Sequence, residues 1–146
     1  MISRSAILFC LALSPLIASS GDADRFVTHL TLPTGHTAVI SESEFEARSI
    51  GSYSILLYAP ASPGDETTFF IEGRVRKRDG VIEAARLDDV AGDAALEILI
   101  IIRSVGTGSY LSADAYSTEA GRLELIRTVS GLPPDADPVA ELRLKH

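Results

Sequence analysis

The residues best equipped for intermolecular chemistry lie in the stretch Ser104 to Tyr116, SVGTGSYLSADAY. Gly106, Thr107 and Gly108 break an apolar run and lead directly to Ser109 and Tyr110. Thr107, Ser109 and Tyr110 carry hydroxyls, which both donate and accept hydrogen bonds. Such groups can satisfy a carboxylate or a carboxylic acid in another molecule without burying a charge of their own. Tyr110 adds apolar area with few rotamers to freeze, which suits an interface anchor. The glycines around Thr107 are also what an ordinary hairpin loop uses to reach positive φ. A tight turn and a loop projecting into a partner's cleft are therefore both open on local chemistry.

Catalysis finds little support. His29 and His36 lie in or beside an early strand and His146 is terminal, so no histidine pair is placed for acid–base work. GTGSY lacks the second glycine of the nucleophile elbow, and no helix follows it. No His/Cys cluster has metal-ligand spacing, and no cofactor is expected. Asp89, Asp93 and Glu97 sit four apart around Gly92, but a calcium loop needs six to eight converging oxygens. Ala91 and Ala95 stand where further ligands belong, which favours an acidic turn with no metal. Arg74, Arg76 and Arg78 recur at period two on one strand and read as a solvated basic face that discourages edge aggregation.

The elements that must carry these residues are strands. RFVTHLTL, HTAVISE, SIGSYSILLYA, TTFFIEGRVRKR, VIEAARL, YLSADAYS and RLELIRTVS are short segments separated by turn chemistry. In the fourth, Phe69, Ile71 and Val75 alternate with the arginines, and Asp79-Gly80 predicts a hairpin to the fifth. LEILIIIR is apolar without interruption, which predicts a strand buried on both faces and inside a sheet. SESEFEARS and DDVAGDAALE could each hold a helical turn. The pattern predicts an all-β domain: an antiparallel β-sandwich, or a flattened barrel, of about eight strands. A chain of 146 residues holds one such domain.

The first twenty residues stand apart from it. Arg4 gives a positive start, Ala6 to Ala18 is apolar, and Ala18 and Ser20 have the spacing of a signal-peptidase site. The run is too short and broken to span a membrane. The expected organisation is a signal peptide at 1–20 and a mature domain at 21–146. Cys10, the only cysteine, lies in the leader behind bulky Phe9, so no lipid anchor is expected and the mature chain has no thiol. The whole chain carries a formal charge of −7, and loss of Arg4 leaves 12 basic against 20 acidic residues, a charge of −8. Such a chain avoids nucleic acid and anionic membranes and favours a cationic protein partner.

RSIGSYSILLYA, EGRVRKRDGVIEAARLDDVAGDAALEILIIIRSVGTGSYLSADAY and GLPPDADPVA together resemble the periplasmic inhibitors of invertebrate-type (i-type) lysozyme. The resemblance runs from about Leu32 to the C-terminus. It implies export to the periplasm of a Gram-negative bacterium, a β-sandwich, and a possible homodimer. It implies inhibition of i-type lysozyme by a Ser-Gly-x-Tyr loop inserted into the substrate cleft. Here that motif is Thr107-Gly108-Ser109-Tyr110, flanked by Ser104 and Gly106. Thr replaces the family's Ser, keeping the hydroxyl and adding a methyl. Two other readings are a periplasmic carbohydrate- or peptidoglycan-binding sandwich and an inhibitor of another lysozyme class. A sugar platform usually needs exposed aromatics, and with no Trp the tyrosines would have to supply it.

Overall fold

The computed structural model describes residues 24–145. The expected signal peptide and Cys10 lie outside the described residues. Eight strands run in chain order: β1 (Val27–Thr31), β2 (Thr37–Glu42), β3 (Ile50–Tyr58), β4 (Phe70–Asp79), β5 (Val81–Asp88), β6 (Glu97–Arg103), β7 (Leu111–Ser117) and β8 (Glu124–Leu132). They form two antiparallel sheets, β1-β2-β3-β4 and β5-β6-β7-β8, rather than a closed barrel.

The main core lies between the sheets. Ile40, Ile55 and Leu57 from the first meet Ile98, Ile100 and Ile102 from the second. A second core covers the outer side of the second sheet, where Leu99 and Ile101 pack with Val90, Val139 and Leu142. β6 therefore faces apolar material on both sides, which is why its sequence never alternates. It pairs with β5 and β7, so this strand has no free edge. Its outer cover includes α1 (Pro138–Arg143), which the sequence reading did not foresee. Asp137 caps the helix by accepting the Val139 N–H at 3.0 Å, and Pro138 opens its first turn. Neither segment expected to hold a helical turn, 41–49 or 88–97, forms a helix among the described residues.

Two strand-level expectations are corrected. Asp79-Gly80 does not turn a hairpin, because β4 and β5 belong to different sheets. It is the joint where the chain crosses the sandwich. Gly80 has φ 123°, and a Cβ there would lie 2.1 Å from the Arg103 carbonyl oxygen, so the joint needs glycine.

The two faces of β4 are also exchanged. Phe69, just before the strand, and Val75 within it are 83% and 74% exposed, whereas Arg78 is 2% exposed and points inward. The reason is the cluster of backbone carbonyls that converges where the chain changes sheets. Arg78 donates to the carbonyls of Arg48 (2.8 Å), Ser52 (3.1 Å) and Ala47 (3.2 Å), and also to that of Gly80. A guanidinium's fixed fork of donors can serve several such acceptors at once. Arg74 donates to the Leu123 carbonyl of the opposite sheet at 3.1 Å. Arg76 pairs with Asp114 of β7 at 2.9 Å.

Asp114 sits in a buried polar knot between the sheets. It accepts from the Tyr53 hydroxyl at 2.6 Å and the Thr128 hydroxyl at 2.7 Å, and the Tyr53 and Tyr116 hydroxyls lie 2.8 Å apart. Burial first, and the Asp114 charge second, push the Tyr53 hydroxyl far above the ordinary tyrosine range.

Candidate interaction loop

Residues 104–110 join β6 to β7 at one end of the sandwich. The Ser104 N–H donates to the Tyr110 carbonyl at 2.9 Å and closes the base, while the Ser109 N–H donates to the Gly106 carbonyl at 3.2 Å and turns the tip. All six residues singled out in the sequence thus occupy one small closed loop. The glycines serve another purpose than the expected one. The residue with positive φ is Ser109, at 45°, and neither Gly106 nor Gly108 has it. Gly108 instead makes room: a Cβ there would lie 2.2 Å from the Tyr110 ring. The ring passes across the bare backbone of Gly108 and stays 54% exposed. Thr107 is exposed at the tip. Among the described residues, no hydrogen bond engages the Thr107 or Tyr110 hydroxyl.

The loop is held from below by a residue that sequence reasoning missed. Arg103, the last residue of β6, donates to the Ser109 carbonyl at 3.0 Å and to the Pro134 carbonyl at 3.4 Å. Its other guanidinium edge engages both carboxylate oxygens of Glu83 on β5. The hydrogen bond to Glu83 raises the arginine's pKa above its ordinary value. Glu83 reaches this position because the β5–β6 register shifts between Ile82 and Ala84, leaving Glu83 as the bulged residue. The only trace of this clamp in the sequence is a pair of opposite charges 20 residues apart, which no local pattern links.

The other candidate groups do not join the loop. Asp89 accepts three backbone N–H groups, from Gly92 (2.6 Å), Asp93 and Ala94 (3.1 Å each). Desolvation opposes its charge, but these donors outweigh that and hold the carboxyl below its usual range. Glu97 accepts from the Val90 N–H at 2.8 Å and the Ala91 N–H at 3.2 Å. These carboxylates organise an acidic turn at the opposite end of β6. His36 shares a 2.8 Å hydrogen bond with Thr34 and lies at that far end too. The structure brings together hydroxyls on a braced loop, and among the described residues no acid–base pair accompanies them.

A family model described as periplasmic lysozyme inhibitor of I-type lysozyme matches residues 24–146. The chain belongs to this family. Its function class is therefore that of an enzyme inhibitor, not an enzyme. The crystal structure of the periplasmic inhibitor of I-type lysozyme from Aeromonas hydrophila is similar to it, with 40% sequence identity and a TM-score of 0.75. That match covers 80% of this chain and 98% of the other. The Aeromonas hydrophila inhibitor has also been crystallised in complex with Meretrix lusoria lysozyme. That chain shows 41% identity and a TM-score of 0.73, over 81% of this inhibitor and 95% of its relative. No curated protein sequence matches the inhibitor at comparable significance.

Proposed function

We propose that this chain is exported to the periplasm, loses residues 1–20, and inhibits i-type lysozyme by inserting the Thr107-Gly108-Ser109-Tyr110 loop into the substrate cleft. The observation that carries the reading is the braced loop with two unengaged hydroxyls, in a chain 41% identical to an inhibitor crystallised with a lysozyme. Glycoside hydrolysis of this kind uses two carboxyl groups astride the scissile bond. The Thr107 and Tyr110 hydroxyls can donate to the ionised carboxylate and accept from the protonated acid, so both protonation states are satisfied. Residence of the loop between them excludes the sugar chain and the attacking water. No charge from the inhibitor has to be desolvated, which avoids the main cost of entering a carboxylate-lined cleft. Arg103 lowers the ordering cost by holding the loop's shape before contact.

Lysis of peptidoglycan by i-, c- and g-type lysozymes, each titrated with residues 21–146, tests the assignment. The expected result is inhibition confined to the i-type enzyme and relieved by a soluble oligosaccharide that fills the cleft. Inhibition indifferent to that competitor would move the contact away from the cleft, and inhibition of another class alone would refute the target.

A further inference from the structure

Phe45, in the connection between β2 and β3, is 100% exposed, yet the backbone beneath it is tied down at four carbonyls. Arg78 takes the Ala47 and Arg48 carbonyls from the core side. Arg25 takes the Glu44 carbonyl at 3.0 Å and also the Glu46 carbonyl. The Glu46 carboxylate accepts from the Ser52 backbone N–H and, at 2.9 Å, from its hydroxyl, and those bonds hold it below the ordinary carboxylate range. Ser43 and Ser52 hydroxyls meet at 2.8 Å. Gly51 is bare where this brace passes: a Cβ there would lie 2.4 Å from a Glu46 oxygen and 3.0 Å from Arg78. A loop so fixed that leaves its one large apolar side chain in water is built to present that side chain.

The loop stands at the same end of the sandwich as residues 104–110. The Ser49 carbonyl accepts the Gly80 N–H at 2.8 Å. Gly80 in turn lies so close to Ser104 that a Cβ would sit 2.8 Å from its Cα. Ser49, Gly80 and Ser104 form a continuous backbone seam joining the two loops. From this continuity we infer that the Phe45 loop is a second contact of the lysozyme-binding surface. It places an aromatic anchor on an apolar patch at the rim of the enzyme's cleft while the Thr107–Tyr110 loop enters it. The inference rests on the proposed loop insertion. Rigid presentation matters here, because a preordered aromatic adds contact area with little further loss of freedom.

Phe45→Ala, Phe45→Leu and Tyr110→Ala, each titrated against Meretrix lusoria lysozyme with kinetics, unfolding midpoint and oligomeric state recorded, test it. Phe45→Ala is expected to weaken binding about tenfold, mostly through faster dissociation, with Phe45→Leu intermediate. Its unfolding midpoint should match the wild type, since the ring contacts solvent only. If Phe45→Ala binds like the wild type while Tyr110→Ala weakens binding, the inference falls and the loop insertion stands. If Phe45→Ala weakens binding and Tyr110→Ala does not, the loop insertion fails and the second contact, which rests on it, falls with it. Neither variant weakening binding overturns both. A shift in oligomeric state on Phe45→Ala, with affinity unchanged, assigns the ring to contact between copies and overturns the inference.

Discussion

Replacing Thr107 and Tyr110 together by alanine is expected to weaken binding to i-type lysozyme roughly 100-fold or more. Most of that loss comes from the groups left behind in the enzyme. Each hydroxyl removed strands a polar partner in a closed cleft, at about 1–3 kcal/mol apiece. Loss of the Tyr110 ring adds the cost of an unfilled contact at the centre of the interface. Stability should stay within about 0.5 kcal/mol of the wild type, because both side chains face solvent and engage no hydrogen bond of the fold. Tyr110→Phe should weaken binding around tenfold, since it removes the hydroxyl alone. Thr107→Ser, which restores the residue expected from the family motif, should bind nearly as well as the wild type. Isothermal titration with thermal melts separates these outcomes. A double variant that inhibits at full strength would remove the loop from the interface.

Arg78→Met is the substitution expected to cost the fold most, about 3–5 kcal/mol. The side chain is fully buried and donates to four backbone carbonyls, with the Glu42 carboxylate 3.9 Å away. Methionine fills the space but removes this donor from the Ala47, Arg48 and Gly80 carbonyls, the last of them buried, and takes a cation away from the buried Glu42 carboxylate. Arg78→Lys should recover little of the loss, because an ammonium cannot reproduce the planar fork. Arg74→Met is the internal control: that side chain is half exposed, and its replacement should cost under about 1 kcal/mol. Urea unfolding of the three variants checks the ranking. Equal losses at positions 74 and 78 would mean that the fully buried Arg78 contributes no more than the half-exposed Arg74 on the same face.

These two positions also mark how far the sequence could be read. Strands with clean alternation or an unbroken apolar run were legible, because burial leaves a period: Tyr53, Ile55 and Leu57 point inward as their spacing implies. Thr107 and Tyr110 stand out as hydroxyls beside glycines, but local chemistry leaves an ordinary turn equally open, and the resemblance to the inhibitor family is what singles the loop out. β4 was misread because alternation reports two faces without saying which is inside. Arginine at the inner face answers carbonyls that only the tertiary fold brings there. Gly80 carries the residue signature of a hairpin, yet its conformation is used to cross between sheets. α1 is only six residues long, too short for a helical period to stand out, and its cap at Asp137 was obscured by the prolines around it. The Arg103–Glu83 clamp depends on a strand bulge, and nothing in the local sequence announces a register shift.

The absence of cysteine from residues 21–146 permits one direct test of loop insertion. A Thr107→Cys variant carries a single thiol at the loop tip, and a Glu119→Cys variant carries one at the opposite end of the sandwich. Alkylation of each would be followed by mass spectrometry, alone and with saturating i-type lysozyme. Insertion predicts that the enzyme protects position 107 down to the rate of complex dissociation while position 119 reacts as in the free protein. Undiminished alkylation at 107 in a fully formed complex would contradict it.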